Sequence, residues 1–352
     1  MNLIVIPTFN RSAKLKRVLD FYQSEALGVR IAILDASDEP AHQAANRRAV
    51  ENCSISVTYV PTPGQNSIVQ RLLTFLEGID DELVAIGNDE DVFLSEFLED
   101  AFRYLRSNPE YVVATGRYVT SSRPLLGLRR ISYWTDSFLG LDIDEAEPAL
   151  RVINFQRLNS AGVPPLYWSV RRRTAFMESC RLALRLRFGS AHELMDQITS
   201  CALGKILISD QPMLLRDESR LNYMGYANRD EGKHYIGLGD LGEIEKIARE
   251  VWSEDVALAV KAVVSWYRPK NSDESYQSRL NTRAYCRFNK TSEECNVRSL
   301  KWLHYAVRWS CVAGVLLSQV FAYLYFLRYM TLMGRGVGFL KMTRTIAVNK
   351  VK

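Results

Sequence analysis

Short apolar segments alternate with helical ones over the first hundred residues, and each apolar segment ends in a polar loop. Buried-strand patterns occur at residues 3–6, 30–34, 55–60 and 83–86. The segments between them carry apolar residues at helical spacing, as at Leu15, Val18, Leu19 and Tyr22. Strands that alternate with helices predict parallel βαβ units with right-handed crossovers. We therefore expect an α/β fold in which the four strand ends meet at one edge of the sheet.

The polar residues at these strand ends suit a phosphate-bearing ligand and a cation. In open α/β sheets ligands bind at the carboxyl ends of the strands, and clustered carboxylate oxygens suit Mg²⁺ or Mn²⁺ with a phosphate-bearing substrate. On its own, the acidic stretch at 87–91 fits equally well an acidic turn that caps the helix beginning near Leu94. The candidate residues, in chain order, are Thr8, Asn10, Arg11, Asp35, Ser37, Gln65, Asp89 and Asp91.

The ordered series Thr-Phe-Asn-Arg, Asp-x-Ser and Asp-x-Asp resembles the nucleotide-binding half of GT-A fold glycosyltransferases, specifically the inverting family 2-like group of the nucleotide-diphospho-sugar transferase superfamily. The resemblance covers about the first hundred residues. It implies a GT-A (Rossmann-like) mixed, mainly parallel sheet flanked by helices, and the helical composition of the later sequence adds a C-terminal helical extension.

The resemblance also implies roles for the candidate residues. Thr8, Asn10, Arg11 and Asp35 would contact the nucleoside of the donor. Asp89 and Asp91 would bind the divalent cation, Mg or Mn, and the donor diphosphate. Asp91 is the preferred direct ligand and Asp89 is expected nearer the ribose or sugar, while any part played by Glu90 stays open.

An inverting transfer needs a carboxylate that accepts the proton of the acceptor hydroxyl. Glu193 and Asp196 lie about one turn apart on a helix predicted from Ser190 to Leu203, and we prefer Glu193 as this base. Either carboxylate could instead only complement the helix dipole.

Three further residues are candidates for binding the sugar or diphosphate. Trp168 and Arg171 belong to a predicted strand at 164–171, and Arg216 ends the second of two closing strands predicted at 206–209 and 212–215. Alternatively, Trp168 is a core aromatic residue, Arg171 is solvated and Arg216 pairs with a neighbouring acid. The segment at 119–159 has no clear period and either lines an acceptor groove or crosses the sheet as a surface excursion.

Composition bounds the cellular setting. Six cysteines without CxxC pairing and four dispersed histidines argue against zinc and against a disulfide framework, and favour a reducing compartment. The apolar run at 3–6 is too short for a signal-peptide core. We therefore expect a cytoplasmic location for the bulk of the chain.

The C-terminal part changes this setting. After Glu294 the chain has no acidic residue, although it has nine lysines and arginines, and residues 309–327 are uncharged. This pattern fits a helix in or on an anionic membrane surface, and a buried helix or oligomer contact is the alternative. We expect a catalytic domain at 1–220, a loop and helical appendage at 221–295, and a basic, apolar, membrane-associated segment at 296–352.

Together these features predict a metal-dependent glycosyltransferase at the inner face of the cytoplasmic membrane. It would move a sugar from a nucleotide-diphosphate donor to a glycan or lipid-linked acceptor, as in bacterial-type surface polysaccharide synthesis. One alternative is a sugar-phosphate nucleotidyltransferase, which the absence of glycine at 7–11 disfavours. The other is a basic peripheral protein that binds anionic lipid. The chain contains no known nucleic-acid-binding motif, so no nucleic acid partner is expected.

Overall fold

A mixed β-sheet forms the centre of the protein, and helices cover both of its faces. The structure is a computed structural model that describes residues 2–25, 28–65, 67–125, 128–133, 142–160, 166–187, 189–217, 236 and 238–267. The strands are β1 Leu3–Thr8, β2 Arg30–Asp35, β3 Val57–Pro61, β4 Leu83–Ile86, β5 Val92–Phe93, β6 Tyr111–Leu125, β7 Leu128–Tyr133, β8 Val170–Arg172 and β9 Lys205–Asp217. The helices within the described residues are α1 Ser12–Ser24, α2 Pro40–Glu51, α3 Ile68–Glu77, α4 Ser95–Ser107, α5 Pro148–Ser160, α6 Arg173–Ala183, α7 Gly189–Leu203, α8 Leu238–Val251 and α9 Glu254–Tyr267.

The order of the strands confirms the predicted fold class. The sheet runs β3-β2-β1-β4-β8-β6-β9-β5, with β7 paired to β6 beside this path. Strands β1 to β4 are parallel neighbours, and β6 is parallel to β9. The short strand β8 is antiparallel to both β4 and β6, so it joins the two parallel parts. The sheet is therefore mixed and mainly parallel, with the ends of β1, β2, β3 and β4 along one edge.

The first half of the chain forms the elements that the apolar pattern predicts. Helix α1 buries Leu15, Val18, Leu19 and Tyr22, which are the residues that defined its apolar face in the sequence. All residues of β4 are buried, as expected for a strand covered on both faces. Because these strands are packed on both faces, the loops at their carboxyl ends start from fixed positions.

The second half differs from prediction in several elements. Strand β8 begins only at Val170, since residues 166–169 form a turn, and the two predicted closing strands are one strand, β9. Its pairing with β6 shifts register opposite Thr115–Arg117, which accommodates the polar residues that interrupt its apolar pattern. The predicted helical appendage contains two described helices, α8 and α9, since a new helix begins at Glu254. Elements β5, β7 and α5 were not predicted.

Two apolar cores lie on the two faces of the sheet. Helices α1 and α4 cover one face, whereas α3 and α5 to α9 cover the other. Helices α8 and α9 pack on α5 and α7 and add Ile244, Ile247 and Val260 to the same core as Leu194 and Ile198. The domain limits predicted from the sequence stay predictions.

Some predicted features lie outside the described residues. These are much of the predicted appendage at 221–295, namely residues 221–235, 237 and 268–295, and the whole segment at 296–352, with its predicted membrane-binding run at 309–327. Within the described part of the chain, no helix is long and apolar enough to cross a membrane.

Gly116 lies where β6 passes closely over β9 and α4. A Cβ atom built there would lie 2.8 Å from the carbonyl oxygen of Gln211 and 2.8 Å from a ring carbon of Phe97. We expect Gly116→Ala to lower the free energy of unfolding by about 1–3 kcal/mol, because the Gln211 carbonyl belongs to the backbone of β9 and the Phe97 ring of α4 is buried. The measurement is urea unfolding followed by circular dichroism. Gly242→Ala in α8 is the control: a Cβ there has no neighbour within 4 Å, so equal losses in the two variants would contradict the steric explanation.

Candidate active site

Thr8 and Asp89 join the end of β1 to the loop after β4. The hydroxyl of Thr8 donates a hydrogen bond of 2.8 Å to Oδ2 of Asp89, and Nη1 of Arg11 lies 3.3 Å from Oδ1. Thr8 and Asp89 are both buried. Burial raises the pKa of Asp89, whereas the charge of Arg11 and the hydrogen bond from Thr8 oppose this rise. Three residues predicted at two separate strand ends therefore form one cluster.

Asp91 is buried and contacts an arginine of β9, a strand three places from β4 in the sheet. Nε and Nη2 of Arg216, at the end of β9, each lie 3.0 Å from Oδ2 of Asp91. The guanidinium of Arg216 also lies 5.0 Å from the ring centroid of Tyr118. Burial raises the pKa of Asp91, and the charge of Arg216 opposes this rise. The alternative in which Arg216 pairs with a neighbouring acid is thus the arrangement that the structure shows.

Asn88 shapes the acidic loop, residues 88–91 after β4, and was not identified as a site residue from the sequence. Its Oδ1 accepts hydrogen bonds from the backbone N–H groups of Glu90 and Asp91 at 2.9 and 2.7 Å, and its Nδ2 donates to Oδ2 of Asp91 at 2.8 Å. Asparagine commonly stabilises such a turn through its side chain, and this signal was available in the sequence.

Glu90 points in a different direction from its two neighbours. Its carboxylate contacts Lys14 and lies 3.7 Å from Nη1 of Arg11, while its carbonyl accepts a hydrogen bond of 3.2 Å from Arg17. All three cations belong to the start of α1 or the residue before it. Glu90 therefore fixes the acidic loop to α1.

Asp35, at the end of β2, accepts hydrogen bonds from three other segments. Oδ1 accepts the N–H of Ser37 at 2.8 Å, and Oδ2 accepts Nδ2 of Asn46 and the hydroxyl of Tyr59, each at 2.8 Å. Burial alone would raise the pKa of Asp35, but these hydrogen bonds hold it below its usual value. Asp35 is thus a fixed anion, and Asn46 and Tyr59 were not predicted from the sequence.

Asn10 has a left-handed backbone with φ of 51°, a conformation that asparagine tolerates better than most residues. Its N–H donates to Oγ of Ser37 at 2.9 Å, and its Oδ1 accepts the N–H groups of Asp38 and Glu39 at 3.2 and 3.3 Å. These bonds join the loops after β1 and β2. The preceding residue, Phe9, is 43% exposed at this edge of the sheet.

Gln65 follows a tight turn at the end of β3. Gly64 has φ of 75°, and the N–H of Gln65 donates to the carbonyl of Thr62 at 3.3 Å. The N–H of Thr62 donates to the carbonyl of Asp35 at 2.7 Å. The turn that carries Gln65 is therefore joined through Thr62 to the end of β2.

Arg71 is a buried cation below these loops that sequence reasoning missed. It lies on the apolar face of α3 and is 5% exposed. Nη1 donates to the carbonyl oxygens of Thr8 at 2.9 Å and Leu34 at 3.3 Å. Burial lowers its pKa, although Tyr167, Asp35 and Asp89 oppose this change. A single arginine among the apolar positions of α3 was the available signal.

Glu193 lies in the first turns of α7. The residue is exposed, yet surrounding protein displaces part of the water around its carboxylate. This loss of hydration, together with the charge of Asp196, raises the pKa of Glu193 to about 7, and Arg216 opposes the rise. Arg216 therefore acts electrostatically on Glu193 and also contacts Asp91.

Asp196 and Arg171 are buried, in contrast to the exposed Glu193. They form an ion pair, with 2.9 Å between Nη1 of Arg171 and Oδ1 of Asp196, and each side chain is only 1% exposed. This burial lends no support to Asp196 as the base or to Arg171 as a ligand of the diphosphate. Trp168 is half-buried and packs edge-on against Tyr167 at 4.9 Å, in contact with both apolar cores.

Comparisons with known proteins find distant likenesses in structure only. No family model and no curated protein sequence matches the chain. The structure of S. aureus TarS 1-349 in complex with UDP-GlcNAc is 13% identical, with 81% of this chain and 71% of that chain covered and a TM-score of 0.46. The mannosyltransferase PcManGT from Pyrobaculum calidifontis, in complex with GDP-Man and Mn²⁺, is 14% identical, with 83% and 88% covered and a TM-score of 0.42.

A third structure is glucosyl-3-phosphoglycerate synthase from Mycobacterium tuberculosis in complex with Mn²⁺, UDP and phosphoglyceric acid. It is 14% identical, with 65% of this chain and 75% of that chain covered and a TM-score of 0.40. Since these likenesses are distant, the function of this chain is inferred from its own site.

The position of Arg71 gives a first test of the site. In Arg71→Met the carbonyls of Thr8 and Leu34 lose a buried donor, which we expect to lower the free energy of unfolding by about 1–3 kcal/mol. Urea unfolding measures this loss. Arg47→Met is the matched control, since Arg47 only lies over the ring of Tyr59 at 5.6 Å and should cost less than about 1 kcal/mol. Equal stability of the Arg71 variant and the wild type would show that this arginine does not hold the two strand ends.

Proposed function

We propose that the protein is a metal-dependent glycosyltransferase that moves a sugar from a nucleotide-diphosphate donor to an acceptor hydroxyl with inversion. One observation carries this proposal. Two buried carboxylates, Asp89 and Asp91, lie at the sheet edge and are paired with Arg11 and Arg216. A third carboxylate, Glu193, has a raised pKa and lies within electrostatic reach of Arg216. Such a site can bind a diphosphate and also accept a proton.

The ends of β1, β2 and β3 are the proposed nucleoside site. Asp35 is an oriented hydrogen-bond acceptor, because three donors from the protein fix its carboxylate. Thr8, Asn10, Ser37 and Gln65 surround it on neighbouring loops, and the exposed ring of Phe9 offers a surface on which a base can stack. Arg11 and Arg216 carry the positive charge for the diphosphate.

The donor set of the acidic loop fits Mg²⁺ or Mn²⁺. Carboxylate oxygens are the hard ligands that these cations prefer, and Mg²⁺ in phosphate-transfer sites often takes one or two carboxylates and completes its coordination with water and substrate phosphates. The described residues contain no group of three or more His, Cys, Asp or Glu that would form a cage of protein ligands. Asp91 and Asp89 would therefore hold the cation together with the donor. The cation supplies charge neutralisation for the departing diphosphate.

Glu193 is the proposed base. It is exposed, whereas Asp196 is enclosed by Arg171 and Ser179. A carboxylate whose pKa lies near neutral pH accepts a proton efficiently and still exists largely as the anion at slightly alkaline pH. The deprotonated carboxylate would take the proton of the acceptor hydroxyl as the sugar moves from the diphosphate to that oxygen.

The acceptor and the location are proposed from the sequence. The acid-free basic tail and the uncharged run at 309–327 support an anionic membrane surface, and hence a lipid-linked or glycan acceptor at the inner face of the cytoplasmic membrane. Synthesis of a bacterial-type surface polysaccharide is the corresponding process.

Asp91→Asn tests the cation site. The amide keeps the shape of the side chain but removes its charge, so we expect transfer to fall at least a hundredfold while the fold is retained. Isothermal titration with UDP and GDP, with and without Mn²⁺, should show cation-dependent nucleotide binding in the wild type and its loss in the variant. Asp20→Asn is the control, because Asp20 pairs only with Lys16 within α1 in the described contacts. Unchanged cation-dependent binding in the Asp91 variant would rule out this carboxylate as a ligand.

The pKa of Glu193 sets the expected pH dependence. Because the base must be deprotonated, kcat should rise with pH and reach half of its maximum near the pKa of about 7. Glu193→Gln should lower kcat by roughly 10²- to 10⁴-fold and leave nucleotide binding intact. Glu178→Gln, on the surface of α6, should keep the wild-type rate. A profile that is flat between about pH 6 and pH 8 would assign proton transfer to another group.

A further inference from the structure

Arg171 and Asp196 connect three elements inside the protein. Nη1 of Arg171 lies 2.9 Å from Oδ1 and 3.1 Å from Oδ2 of Asp196. Ser179 of α6 donates to Oδ1 of Asp196 at 2.6 Å, and Nη2 of Arg171 donates to Oγ of Ser200 at 2.8 Å. The guanidinium also lies 4.2 Å from the ring centroid of Phe176. The pair therefore joins β8, α6 and α7.

Stability alone is a weak explanation for this pair. Removing two charges from water costs several kcal/mol per ion, and apolar residues of similar size often give an equal or greater stability. The surrounding core, with Phe176, Leu194 and Ile198, would accept such residues. What an apolar pair does not provide is a directional contact that fixes the position of one element on another.

The two partners lie between the proposed donor and base sites. Arg171 is directly opposite Val84 in the pairing of β8 with β4, the strand that leads into the acidic loop. Asp196 is three residues after Glu193 on α7, which is about one helical turn. The pair is thus a polar connection from the strand that positions Asp89 and Asp91 to the helix that carries Glu193.

We infer that Arg171 and Asp196 are positioning residues, which fix α7 on β8 so that Glu193 is presented to the acceptor side of the site and has a negative charge beside it. The inference rests on the proposed function, because the role of Glu193 is itself a proposal. The two carboxylates of α7 then have different roles. Glu193 contacts the reacting groups, and Asp196 acts only through Glu193.

Two charged groups and two neutral tyrosines lie within electrostatic reach of Glu193. Asp196 of α7 favours the protonated form, and Arg216 of β9 favours the anion. Tyr118 of β6 and Tyr167, which precedes β8, are also within electrostatic reach. Both hydroxyls are buried and burial raises their pKa values, so they stay neutral near pH 7. Asp196 is therefore the group whose removal should lower the pKa of Glu193.

The test compares the wild type with Arg171→Met/Asp196→Leu, which removes both charges and keeps the space filled. We expect the double variant to fold and to bind UDP or GDP with Mn²⁺ with a Kd within about threefold of the wild type. Its kcat should fall by roughly 10- to 100-fold, because a displaced base misses the reacting hydroxyl. Arg30→Met/Asp81→Leu is the control pair, since this ion pair lies at the opposite ends of β2 and β4 from the site. Its kcat should be unchanged.

Asp196→Asn gives a second measurement that does not depend on turnover or on the double variant. The pKa of Glu193 is followed by NMR through its isotope-labelled carboxyl resonance, assigned by its loss in Glu193→Gln. We expect this resonance to titrate at a lower pH in Asp196→Asn than in the wild type.

Three outcomes would overturn the inference. These are an unchanged kcat in the double variant, a parallel loss of nucleotide affinity and kcat, and an unshifted Glu193 resonance in Asp196→Asn. Failure of the proposed function would appear differently, as a wild-type protein that binds no nucleotide with Mn²⁺ and transfers no sugar.

Discussion

The arrangement of the site depends on how the acidic loop at 88–91 is neutralised. Two of its carboxylates are buried, and a buried carboxylate without a partner is too costly to persist in a folded protein. Arg11 and Thr8 meet Asp89, Lys14 meets Glu90, and Arg216 and Asn88 meet Asp91. Because these partners come from β1, α1 and β9, satisfying the loop brings together segments that are far apart in the sequence. The strand ends converge at this edge, and charge pairing then fixes their side chains.

The same neutralisation bears on the proposed binding of an anionic donor with a cation. The arginines already lie at the carboxylates, so a diphosphate that arrives with Mg²⁺ or Mn²⁺ would meet positive charge that is already in place, and the carboxylates would exchange contacts with the protein donors for the cation. Asp35 shows a similar property at the proposed nucleoside site, since Ser37, Asn46 and Tyr59 orient it. In both places the buried polar group is held by contacts from neighbouring loops.

The sequence predicted those parts of the molecule that local patterns determine. Strands β1 to β4, helix α1 and the meeting of Thr8, Arg11 and Asp89 follow from apolar periodicity and from the geometry of parallel strands. The partners of Asp35 and the role of Arg71 did not follow, because they depend on which side chains of α2, β3 and α3 reach the strand ends. Helix spacing placed Glu193 and Asp196 on one face of α7. In the structure Glu193 is nevertheless exposed, whereas Asp196 is buried. Only the packing of α6 and β8 separates the two carboxylates.

The short antiparallel strand β8 begins later than the sequence predicts, and the three consecutive arginines at 171–173 explain how it is held. Arg171 pairs with Asp196 of α7, Nε of Arg172 donates to the carbonyl of Tyr111 at 2.9 Å, and Arg173 donates to the carbonyl of Leu76 at the end of α3 at 3.0 Å. Successive side chains of a strand point to opposite faces, so Arg171 and Arg172 reach elements on both sides of the sheet, and Arg173 is already the first residue of α6. A strand of three residues has too few ladder hydrogen bonds to fix its own position in mid-sheet. Long guanidinium side chains supply the remaining contacts, and in doing so they connect the strand beside the acidic loop to the helix that carries Glu193.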